Sequence, residues 1–166
     1  MYSRYILILK GYVLLSLEGL FLVVKLRKKK WSQKLELVMN SIQRSKNNED
    51  FPKIFYRNLF FMNSKIEKYF INTNWEHQEK AFLHAIDNMT HFLEDNSGFS
   101  RNQVSRLAQL HSKKNLNIHP HEYYYWIEAL ILALKEADPH WIESYQYYVR
   151  EVFFYPISFM ISMYLI

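Results

Sequence analysis

From residue 35 onward the chain carries one glycine, Gly98, and four prolines, Pro52, Pro120, Pro139 and Pro156. Between these breakers, apolar residues recur three and four positions apart, the period of a helix that buries one face. No stretch keeps the period of two that a half-buried strand needs. Residues 123–126 favour strand locally, but they sit in helical context, which overrides so weak a propensity. The body is therefore expected to be all helix, in six segments: 35–45, 50–70, 73–95, 100–114, 119–139 and 140–166. Asp50 is the expected cap of the second segment, with Pro52 tolerated in its first turn. Thr73 or Asn74 caps the third and Ser100 the fourth. The fifth stops at Asp138-Pro139, and Pro156 is expected to kink the sixth.

Composition narrows the chemistry. Hydrophobic residues make up 49% of the chain and aromatics 17%, enough for a true core. The absence of cysteine excludes disulfides, thiolate metal sites and cysteine nucleophiles. With only three glycines there is no glycine-rich phosphate loop. The net charge of +5 suggests nucleic acid until its distribution is read. Residues 1–34 hold eight Lys/Arg and one acid, Glu18, whereas residues 35–166 carry a net −2. The basicity belongs to the N-terminal segment, so nucleic acid is not an expected partner of the body.

That N-terminal segment, residues 1–34, is a unit apart from the domain over 35–166. Its run "YILILKGYVLLSLEGLFLVV", residues 5–24, has the length of one membrane span and is followed by "KLRKKKW". Thirteen Val, Ile, Leu and Phe residues favour insertion by roughly 6 kcal/mol, and Lys10 and Glu18 oppose it by about 5 to 7 kcal/mol. Three readings follow: a membrane anchor, an interfacial amphipathic helix with a basic flank, or an extra apolar helix packed on the body. An anchor would leave the basic cluster and the body on the cytoplasmic face of the inner membrane. No small-residue cleavage site follows the run.

The order of helix lengths is unlike a symmetric bundle, and the motifs that fill it resemble the globin family in its bacterial single-domain form. "FYRNLF" (55–60) resembles that family's second helix, and Phe70 follows Tyr56 by the family's fourteen residues. "NTNWEHQEKAFLHAI" (72–86) resembles its distal helix, and "LAQLH" (107–111) the proximal helix that ends in the iron ligand. "WIEALILALKEADPHW" and "REVFFYPISFMISMY" resemble its last two helices. The resemblance spans about residues 35–164 and implies a globin-like fold around a haem pocket.

It also implies roles. His111 becomes the proximal ligand of haem b iron, with its second ring nitrogen held by a carbonyl near Leu107 or Ala108. Taken alone, such a histidine is most simply a surface or capping residue. Tyr56 becomes a distal hydroxyl aimed at bound gas, and Phe70 the ring packed on the porphyrin. Gln78 is the second distal donor, with His77 and Lys80 as alternatives for that slot, and Phe82 forms an apolar wall one turn on. Tyr123 becomes a proximal-side tyrosine near His111. The glutamate that pairs with it from the last helix in some relatives is absent, since no acid follows Glu151. His77, His84 and His91 recur every seven residues, which spreads them over about 10 Å per step, too far to share one ion. The implied activity is reversible binding of O2, and also of NO and CO. Two alternatives stand beside it: an NO dioxygenase served by an external reductase, for which the chain carries no domain, and a haem-based gas sensor.

Overall fold

The computed structural model describes residues 8–9, 12–13 and 17–165, with side chains from Leu22 onward. Two two-residue strands, β1 (Ile8–Leu9) and β2 (Tyr12–Val13), pair antiparallel. Every other regular element is helical: α1 (Leu17–Lys46), α2 (Phe51–Met62), a 3-10 helix (Ser64–Phe70), α3 (Trp75–Thr90), α4 (Phe99–His111), α5 (Glu122–Ala137) and α6 (Tyr145–Ser162). The all-helical body is as expected, and the boundaries show where local chemistry redraws it.

The first expected helix is the C-terminal half of α1, which runs unbroken from Leu17 across the basic cluster. No described helix is long and apolar enough to cross a membrane. Of the expected span over residues 5–24, residues 5–7, 10–11 and 14–16 lie outside the described residues, and side chains are described only from Leu22. The second expected helix breaks in two at Asn63. Its backbone is extended there, and its side-chain oxygen accepts from the Lys65 N–H at 3.2 Å, an alternative to continuing the helix. That break turns the 3-10 segment back on α2, so Phe70 meets Tyr56 edge-on at 5.3 Å.

Asp50 holds the N-cap position of α2 as expected, but its side chain makes no capping bond and its carboxylate instead takes the Lys53 ammonium at 2.8 Å. Ser100, the expected cap of the fourth helix, lies inside α4. The N-cap position is Gly98, left-handed at φ 77°. The capping acceptor comes from Asp95, whose carboxylate accepts from the backbone N–H of Ser97 at 2.8 Å and of Ser100 at 2.6 Å. Asn74 caps α3, accepting from the His77 N–H at 3.1 Å. Pro156 is buried within α6, its ring serving as core volume.

α2 lies across α5, α1 packs on α5 and α6, and α3 and α4 close the opposite side against α6. The α1–α5 junction is electrostatic. Asp138, just past α5, is 3% exposed, and its carboxylate accepts from Ser41 Oγ at 2.6 Å and from Arg44 Nε and Nη2 at 2.6 and 2.7 Å. The His140 N–H adds a bond at 2.9 Å. Burial pushes the Asp138 carboxyl up, but these donors together outweigh it and hold it below the usual carboxylate range. A depressed carboxyl contributes stability that is present above its unfolded value, near 3.8, and is lost as pH falls through its folded value. Asp138→Ala should therefore lower unfolding free energy by about 3 kcal/mol in urea titrations at pH 7, because it strands Arg44. The gap to wild type should narrow below about pH 4.

Candidate functional site

Four helices, α2, α3, α4 and α5, converge with the 3-10 segment on one apolar cleft of about 230 Å³. α2 supplies Phe55, Tyr56 and Leu59 because its apolar residues fall on the face that meets α5. α3 contributes Gln78 and, one turn on, Phe82. The end of α4 presents His111, and the start of α5 presents Glu122 and Tyr123. All six residues singled out from the sequence, Tyr56, Phe70, Gln78, Phe82, His111 and Tyr123, line this cleft. It opens to solvent past Ala81, Leu110 and Leu116, which are exposed lining residues.

The wall on the α2 side is aromatic. Phe55 stacks on Phe82 with ring centroids 4.3 Å apart, and Tyr56 meets Phe82 edge-on at 5.8 Å. Behind them Trp75 stacks on Phe70 at 5.8 Å and touches Tyr56 at 5.2 Å. Two polar groups on this wall pair with each other. Gln78 Nε2 donates to the Tyr56 hydroxyl at 2.7 Å. Burial, against that bond, pushes the Tyr56 phenol up to about 12, so it stays protonated. Since the oxygen accepts from Gln78, its own hydrogen is left for the cleft. His77 and Lys80, the alternatives to Gln78, are exposed, and Lys80 pairs with Glu76 at 2.7 Å. His84 is exposed as well, and His91 turns Nδ1 to the Asp87 carbonyl at 2.8 Å. Among the described residues no three histidines or carboxylates gather as a metal site.

Across the cleft, His111 Nδ1 lies 3.2 Å from the Tyr123 hydroxyl. This replaces the carbonyl expected near Leu107 or Ala108: the imidazole turns away from its own helix and is held from α5. Burial lowers the His111 pKa to about 4, so at neutral pH the ring is uncharged. The tautomer that carries its hydrogen on Nδ1 donates to the Tyr123 hydroxyl and leaves Nε2 a lone pair; among the described residues the ring's one hydrogen bond is this one at Nδ1. Burial, then the neighbouring Glu122 carboxylate, raises the Tyr123 phenol and keeps it neutral.

Glu122 was missed in the sequence. It is 7% exposed and is the one carboxylate lining the cleft. It accepts from the Tyr69 hydroxyl at 3.1 and 3.2 Å and from the His119 N–H at 2.7 Å. The signal was present in "HPHE": an acid three residues after a chain reversal reaches back to cap it. Tyr69 was missed for another reason, since only the break at Asn63 carries it to the mouth of the cleft.

No family model matches the chain, and no curated protein matches it. Among solved structures, it is similar to a Pseudomonas aeruginosa PAO1 protein described as structurally highly homologous to a human hemoglobin. The TM-score is 0.74 and the identity 25%, over 80% of this chain and 99% of the other.

The neutral His111 has a measurable consequence. Its folded pKa, about 4, lies below the ordinary 6.5, so the unfolded chain binds the proton first. In the ligand-free protein, this contribution to stability should be full above about pH 6.5 and be lost as pH falls toward 4. His111→Leu should remove that component of the denaturation midpoint's pH dependence while leaving the Asp138 component below it. The structural likeness spans nearly the whole of the solved chain, and with the helix order and internal cleft it gives this protein a globin-like, all-α fold.

Proposed function

We propose that this protein is a haem b globin that binds O2 reversibly, with NO and CO as further ligands, and that His111 is its proximal iron ligand. The observation that carries the reading is the placement of a neutral imidazole with an unpartnered Nε2 on one side of an apolar cleft and a hydroxyl–amide pair on the other. This donor set fits the group: one nitrogen ligand, apolar and aromatic walls, and an open far side. Haem, when bound, would supply an iron able to take a diatomic gas.

The chain's own residues do the rest. Tyr123 fixes the rotation and tautomer of His111 through Nδ1, leaving Nε2 free to ligate. Phe70 and Phe82, which line the cleft, would pack against the macrocycle and exclude water. Gln78 orients the Tyr56 hydroxyl, which donates its hydrogen toward a ligand that gains partial negative charge. In a dry pocket such a bond tightens binding mainly by slowing release.

The test is an absorption spectrum of the purified, haem-reconstituted protein: ferric, reduced, and reduced with CO. A five-coordinate ferrous spectrum that shifts with CO is expected. Absence of a Soret band after reconstitution would overturn the reading. His111→Ala should abolish haem retention, and unchanged haem content would remove His111 from the proximal role. Tyr56→Phe deletes one hydrogen bond worth about 1.4 kcal/mol and should speed O2 release about tenfold in stopped-flow measurements.

A further inference from the structure

α1 is longer than the body requires. Its buried stripe begins at Leu35 and continues through Val38, Ser41, Ile42 and Ser45. Trp31, whose indole donates to Glu94 at 2.9 Å, marks where the helix leaves the body. On the N-terminal side of Trp31, every residue from 24 to 30 is exposed. Leu22, Val24 and Leu26 are 58%, 56% and 58% exposed. At 3.6 residues per turn, Leu22 and Leu26 share the side opposite the buried stripe, with Lys25 and Lys29 beside them. Three bare aliphatic side chains on a projecting helix are an unfavourable surface unless something covers them.

The charges say what covers them. Several basic groups of the body are answered: Lys34 by Glu151, Arg44 by Asp138, Lys46 by Asp87, Arg57 by Glu136 and Arg150 by Glu128. Among the described residues, Arg27, Lys28, Lys29 and Lys30 have no ion pair. Residues 22–30 carry five Lys/Arg and no acid, whereas residues 35–166 carry a net −2, so positive charge is densest on the stretch that also bares aliphatic residues. Nucleic acid would use the charges and leave the leucines in water. An interface between water and acyl chains, faced by anionic headgroups, uses both.

We propose that the projecting N-terminal half of α1, through Leu22, Leu26 and the basic run at 25–30, docks this protein on an anionic phospholipid surface. The contact lies on the bilayer: no described helix is long and apolar enough to cross one. The proposal is independent of what the cleft binds.

The full chain is sedimented with phosphatidylcholine vesicles prepared with and without phosphatidylglycerol. Binding is expected only with phosphatidylglycerol, and it should weaken as salt rises from about 0.1 M to about 1 M, where the screening length drops to about 3 Å. The combined variant Arg27→Gln, Lys28→Gln, Lys29→Gln and Lys30→Gln should bind these vesicles at least about a hundredfold more weakly, since each basic group near the surface contributes about 1 kcal/mol. Its circular dichroism should match the parent's, because the four side chains are exposed and unpaired. Leu22→Ser with Leu26→Ser should also weaken binding at constant salt. Equal binding to neutral vesicles, undiminished binding of the glutamine variant or of the serine variant, or preference for RNA or heparin over the vesicles would each overturn the proposal.

Discussion

The stacking of Phe55 on Phe82 sets the interior of this molecule. Phe55 is 1% exposed and also meets Trp126 of α5 edge-on at 5.7 Å, so one ring couples α2, α3 and α5. Burying an aromatic of this size is worth on the order of 2–3 kcal/mol, and ring–ring geometry adds about 1 kcal/mol more. The contact also fixes angle as well as distance. With α2 laid across α5 in this way, Tyr56 stands on one wall of the cleft and Tyr123 faces it from the other. The cleft is the space that these bulky rings hold apart.

Its chemistry follows from dryness. The same burial keeps the Tyr56 and Tyr123 phenols protonated and the His111 imidazole unprotonated. Each is thereby held in the state that suits donation by a hydroxyl or ligation by a nitrogen, with burial as the largest cause in all three. Glu122, the carboxylate in the lining, has its oxygens occupied by Tyr69 and the His119 N–H. It works as a brace between the 3-10 segment and the entry to α5. Because that entry also carries Tyr123, the brace and the orientation of His111 share one short piece of backbone.

Charge is partitioned along the chain as sharply as hydrophobicity. Ion pairs knit the body, and the buried Asp138 cluster anchors α1 to the end of α5. The densest run of cations, residues 25–30, lies beyond the point where α1 departs from the core. α1 thus serves two environments: Leu35, Val38 and Ile42 face the interior, while the turns before Trp31 face outward with basic and aliphatic side chains together.

The all-helical class was legible because scarce glycine, four spaced prolines and a period near 3.6 permit little else. The residues that meet in the cleft were legible only through the family resemblance; helical phase accounts for no more than Gln78 and Phe82 sharing a face. The start of α2 at Asp50 was legible, but helix ends were not legible at Asn63 and Ser100. There, short polar side chains choose between neighbouring backbone groups at nearly equal energy, and the surrounding packing decides the choice. The partner of His111 Nδ1 was likewise beyond reach, because a carbonyl on its own helix and a hydroxyl from α5 compete, and only the approach of α5 settles which is closer. The sequence by itself determined which faces are apolar and where charge accumulates, properties carried by residue identity and local period. Only the tertiary structure decided which polar atoms meet, since a hydrogen bond depends on tenths of an ångström that are set by contacts between segments far apart in the chain.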